Sequence, residues 1–171
     1  MKKWEYYAEV AFNALKSNQH LWEIKEYQRP ITRLLYDQVF CAGRPNKSDL
    51  ISVSAMKNKL KKIKSCEDHC IIPQFVARMV MDHPDDWLVD LEKFKELFFW
   101  CCRTIEVTPE ENNKLSKLTE NKDGKFIVHV PTHLRYKHLG INLYHPELGS
   151  VDNVFDIPSE LIEYEKQYLV A

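Results

Sequence analysis

The residues best placed to do chemistry are Asp68 and His69, in the run Glu67-Asp68-His69-Cys70. A carboxylate is a hard oxygen ligand for a divalent cation. An imidazole, with an ordinary pKa of about 6.5, exchanges its proton close to neutral pH. Successive side chains of an extended strand point to opposite sides. On a strand, the pair can therefore divide labour: the carboxylate holds a cation on one side, and the imidazole polarises a water on the other.

Two further clusters could touch a polyanion. Residues 57–64, Lys-Asn-Lys-Leu-Lys-Lys-Ile-Lys, pack five lysines (Lys57, Lys59, Lys61, Lys62 and Lys64) into eight positions. Read as the end of a helix over residues 50–64, they put Leu60 and Ile63 on the core side and the lysines in water. The lysines are then either a solvated face or a phosphate-contacting surface. The second cluster, His129, His133 and His138 with Arg135, Tyr136 and Lys137, combines charge with aromatic rings. It can grip a nucleic-acid backbone or stack on bases, or be a plain surface loop.

The cysteines, Cys41, Cys66, Cys70, Cys101 and Cys102, are odd in number and include a vicinal pair. That is neither a secreted disulfide framework nor a standard zinc spacing, so buried free thiols in a reducing cytoplasm are expected.

The elements that must position these groups are mostly helical. Trp4, Tyr7, Ala8, Ala11, Phe12 and Leu15 recur at helical spacing and predict a helix over residues 4–16. Residues 21–27 give a second helix ending before Pro30, and Ile31, Leu34, Leu35 and Val39 give a third. Residues 42–48 are a Gly/Pro-marked loop, and residues 73–81 and 90–103 are apolar helices. Residues 104–108 alternate as a short strand. Thr108-Pro109-Glu110-Glu111 then has the N-cap, the first-turn proline and the reciprocal glutamate of a capping box. The helix it starts is expected to bury Leu115 and Leu118 and to end at residues 121–124. A strand over residues 125–130, the His/Tyr-rich stretch and a final helix over residues 158–169 complete the chain.

Asp68-His69, then a strand, then a capped helix bearing Asn112, Asn113 and Asn121 resembles the HNH, or His-Me finger, endonucleases of the phage or homing type. The resemblance covers residues 66–121. It implies a small ββα-metal finger with a helical insertion, because more than forty residues separate Asp68-His69 from Asn112. The paired Cys-x-x-Cys motifs that often brace such fingers are absent, Lys117 and Glu120 standing at the second pair. Carried over, His69 is the general base, Asn112 orients it, and Asp68 and Asn121 bind the metal. Phage junction-resolving relatives take the metal-binding Asn from early in the helix, which points to Asn112 or Asn113 instead. The implied activity is DNA phosphodiester hydrolysis assisted by Mg²⁺ or Mn²⁺, which suit an Asp and Asn oxygen set.

Composition sets the outer bounds. A chain of 171 residues with 44% hydrophobic and 29% charged residues and only 4 glycines reads as a single α+β, mostly helical domain. Its expected regions are a basic helical part (1–64), the metal finger (65–124) and a strand, loop and helix (125–171). The formal net charge of -1 excludes a histone-like binder, although residues 1–64 hold 13 Lys or Arg against 6 Asp or Glu. No signal core, membrane span, glycine-rich phosphate loop or dinucleotide fingerprint is present, so a cytoplasmic location without membrane or nucleotide cofactor is expected. The oligomeric state is left open. The competing expectation is a non-catalytic DNA-binding or protein-interaction module in which Asp68-His69 is incidental.

Overall fold

The computed structural model of the chain describes residues 2–122, 125–152, 154 and 157–170. In chain order its helices are α1 (Lys3–Ser17), α2 (Lys25–Ala42), α3 (Val53–Leu60), α4 (Pro73–Asp82), α5 (Pro84–Trp87), α6 (Leu91–Cys101), α7 (Pro109–Leu115), α8 (Arg135–His138) and α9 (Ser159–Glu165). The strands are β1 (Asn46–Ser52), β2 (Cys66–His69), β3 (Arg103–Val107), β4 (Thr119–Lys122), β5 (Lys125–Val128), β6 (Leu143–His145) and β7 (Gly149–Val151). The architecture is mixed α+β. No helix among the described residues is long and apolar enough to cross a membrane.

The chain divides into two compact units, residues 1–46 with 71–103, and residues 47–70 with 104–171. The first is helical. The predicted stripe of α1 buries Ala8, Ala11, Phe12 and Leu15, and α1 packs on α2 and α6. Phe12 meets Phe94 of α6 edge-on at 5.5 Å between ring centroids, a favoured aromatic geometry.

The predicted break before Pro30 does not occur: α2 runs through it. An interior proline costs a helix on the order of 3 kcal/mol. The face formed by Ile31, Leu35, Val39 and Ala42 is buried from Ile31 to the end of the helix, and that burial outweighs the cost, since each fully buried Leu, Ile or Val contributes roughly 1.5–3 kcal/mol.

The second unit is built on a five-stranded sheet in the order β2-β3-β1-β6-β7. Its core joins Leu50, Ile105, Val107, Leu115, Val130, Tyr136, Ile141 and Leu143. Three sequence expectations are corrected in this unit. Residues 50–64 are not one helix, because residues 46–52 pair as β1 and Ser52 caps α3 by accepting a hydrogen bond from the Ala55 N–H at 3.0 Å. Leu60 and Ile63 therefore do not reach the core; they are 83% and 51% exposed. Finally, the helix begun by Thr108 ends at Leu115, and a 3₁₀ turn (Ser116–Leu118) leads into the β4/β5 hairpin.

Candidate functional site

Strand β2 pairs antiparallel with β3, in register from Cys66↔Val107 to His69↔Thr104. Helix α7 follows β3 directly and packs against β2. Its start is the predicted capping box: the Glu111 N–H donates to Thr108 Oγ1 at 3.1 Å and the Thr108 N–H to Glu111 Oε2 at 2.9 Å. Ser52 Oγ donates to that same Glu111 oxygen at 2.6 Å, tying the helix start to the end of β1.

Alternation along β2 puts Asp68 and His69 on opposite faces, as expected of a strand. The surroundings of Asp68 are not those of a waiting metal ligand. It is 8% exposed. Tyr136 donates its hydroxyl to Oδ2 at 2.5 Å, and Arg135 Nη2 lies 3.4 Å from Oδ1. Arg135 also donates from Nη1 to the His69 carbonyl at 3.1 Å and from Nη2 to the Leu115 carbonyl at 3.4 Å. The guanidinium thus ties β2 to the end of α7. Burial pushes the Tyr136 hydroxyl well above its ordinary pKa, and the Asp68 carboxylate adds to the effect, so the phenol stays protonated and donates.

Arg135 and Tyr136, expected on a DNA-facing loop, are 1% and 0% exposed. The stretch is not an open loop: a 3₁₀ turn (Thr132–Leu134) runs into α8 and turns both side chains inward. Burying a guanidinium requires a compensating anion, and Asp68 is that anion. His133 is half-buried. Lys137 is exposed, with Asp152 3.9 Å from its ammonium.

The asparagines separate. Asn112 is half-buried in the first turns of α7, and its N–H donates to the Thr108 carbonyl at 2.9 Å. Asn113 is exposed, and its carbonyl accepts from Ser116 Oγ at 3.0 Å. Asn121 does not sit on the helix; it pairs with Phe126 in β4/β5, and its side chain lies outside the described residues, as do Asp123 and Gly124.

Mg²⁺ or Mn²⁺ would need free oxygen ligands with no cation beside them. Both Asp68 oxygens are engaged and an arginine stands at 3.4 Å. Among the described residues no three His, Cys, Asp or Glu side chains group as metal ligands. The residues present around Asp68 do not fit the ion that the family resemblance implies. Burial raises the Cys101 thiol well above its ordinary value and pushes Cys102 up to about 12, so both stay protonated and unreactive.

The opposite face of the same ladder holds a cluster that sequence reasoning missed. Glu67 and Glu106 face each other across the strands, an arrangement that destabilises a sheet unless cations intervene. Lys47 does so, at 3.3 Å from Glu67 and 3.8 Å from Glu106, and Lys59 lies 2.6 Å from Glu106. Ser65 Oγ also donates to Glu106, and Thr104 Oγ1 donates to Glu67 at 3.2 Å. Burial pushes the Glu106 carboxyl up, but the hydrogen bonds from Lys59 and Ser65 and the charges of Lys59 and Lys47 outweigh it and hold it below its ordinary value. The alternating Arg103-Thr104-Ile105-Glu106-Val107 strand was the available signal.

Lys59 is therefore committed to the fold. Lys57, Lys61, Lys62 and Lys64 are exposed around the end of α3, and none has a carboxylate partner among the described residues. Comparison of the chain with family models, curated proteins and solved structures gives no match.

Proposed function

We propose that this protein binds DNA through the tip formed by the end of α3 and the turn after it, without chemistry at Asp68. The observation that carries this reading is the contrast between the four outward lysines, Lys57, Lys61, Lys62 and Lys64, and Lys59, which the sheet neutralises. Lysines held out in water without carboxylates can replace the counterions condensed on a phosphate backbone, and releasing those ions drives association. The contact is with backbone phosphates and carries no sequence information by itself.

Fluorescence anisotropy with a labelled duplex tests this. Four phosphate contacts predict an affinity that falls about 100-fold between roughly 50 and 200 mM salt. The variant K57Q/K61Q/K62Q/K64Q is expected to lose most of the binding and most of the salt slope at unchanged thermal stability. Equal binding by wild type and variant, or none by either, refutes the reading.

Metal-dependent hydrolysis of DNA is a second reading, and one observation favours it: β2, β3 and α7 follow one another as strand, strand and helix, with Asp68-His69 on the first strand. It requires Asp68 to give up Arg135 and Tyr136. Plasmid incubated with Mg²⁺ or Mn²⁺ beside His69→Ala decides it, since metal-dependent nicking that disappears in the variant is the outcome this reading demands.

A further inference from the structure

The same tip carries two large apolar side chains that phosphate contacts do not need. Leu60 is 83% and Ile63 51% exposed, interleaved with the four outward lysines. They stand at the hydrogen-bonded end of α3. Ser52 caps the start of α3. At its end the Ile63 N–H donates to the Asn58 carbonyl at 2.9 Å and the Lys62 N–H to the Lys59 carbonyl at 3.0 Å. This is the paired closure of a Schellman motif, with Lys62 at φ 56° in the left-handed position. Lys59 and Ser65 both reach Glu106, which ties the turn to β3. A backbone already closed by these hydrogen bonds does not have to be ordered on binding, which lowers the entropic cost of contact.

We propose that Leu60 and Ile63 act as a wedge that enters between stacked base pairs of a duplex while the surrounding lysines hold its phosphates. The preferred ligand is then a duplex that is already unstacked or easily kinked. This rests on the DNA-binding reading above and deepens it. Apolar wedges flanked by basic residues lower the cost of a kink most where a base step is already weak. An anionic lipid surface shares the charge complementarity, but an interfacial helix lays an apolar stripe over several turns. Helix α3 has eight residues, with Leu60 its last. One or two protruding side chains suit a base step better than an acyl boundary.

The test uses the full chain, duplexes with a fluorescence donor and acceptor at opposite ends, either perfect or carrying one central mismatch, and vesicles containing phosphatidylserine. Wild type is expected to bind the mismatched duplex about tenfold more tightly than the perfect one and to shorten the end-to-end distance. Leu60→Ser/Ile63→Ser, which alters only exposed positions, is expected to melt like wild type and to keep the salt dependence that the lysines set. The mismatch preference and the bend should vanish in this variant. Wild-type binding with neither preference nor bend overturns the wedge and leaves the phosphate-contact reading standing. Absence of binding to both duplexes removes that reading and the wedge together. Vesicle binding that the serine variant loses, without a mismatch preference, overturns the wedge in favour of a lipid surface.

Discussion

Two charged regions lie within a dozen residues of each other in the chain and have opposite fates. Around Asp68 the charges are buried and mutually engaged: a carboxylate, a guanidinium and a phenol, each at most 8% exposed. At residues 57–64 all five lysines are exposed, and four of them have no carboxylate partner among the described residues. A buried ion costs several kcal/mol in lost hydration, and here both Asp68 oxygens are engaged by Arg135 and Tyr136. A solvated lysine has given up nothing and keeps its charge available to a partner. Chemistry-bearing residue types are thus a weaker guide to function in this molecule than whether the fold has already used them.

The sharpest way to break this contrast is Arg135→Met, which leaves Asp68 buried with its counter-charge removed. We expect about 3–5 kcal/mol of stability to be lost in urea denaturation. Adding Asp68→Asn should recover a large part, since the pair is then removed together. Were Asp68 a metal ligand in the working protein, the single variant would instead gain stability on adding Mn²⁺. Tyr136→Phe removes the 2.5 Å hydrogen bond to Oδ2 and is expected to cost roughly 1–3 kcal/mol by the same assay, the penalty of an unsatisfied buried acceptor.

A pH effect probes the other face of the ladder. Glu106 is held below its ordinary value, so the stability it contributes is present above the unfolded carboxylate pKa of about 4.3 and is lost as pH falls through the lower folded value. Lys59→Met raises the folded value, and acid unfolding midpoints across a pH series should move to higher pH. An unmoved acid limb would show that Glu106 is not set by Lys59.

The smallest expected effect lies at the tip. Lys62 occupies a left-handed position where glycine is ordinarily preferred. Lys62→Gly should stabilise the turn by about 0.5–1 kcal/mol, seen as a small rise in Tm, while weakening duplex binding by one phosphate contact. A variant that gains stability while losing binding places the lysine in function; loss of both would return it to the fold.

Local rules were legible in the sequence and long-range ones were not. The capping box at Thr108 and Glu111 could be read because its partners are three residues apart. The alternation of β3 and the stripe of α1 were legible for the same reason, since each is a periodicity within one element. The continuation of α2 through Pro30 was not, because it depends on a face that the rest of the helix buries in packing. Nor was the exposure of Leu60 and Ile63, which follows from β1 claiming residues 46–52 for the sheet and shortening the helix.

The amino-acid sequence by itself determined the α+β character, the strand at residues 104–108, the well-capped helix after it and the lysine-rich segment. Only the tertiary structure decided what those groups face. Arg135 is 67 residues from Asp68 along the chain, and no local propensity links them. Whether a carboxylate is a ligand in waiting or the counter-ion of a buried guanidinium depends on which side chains share its few cubic ångströms, and packing of the whole unit settles that.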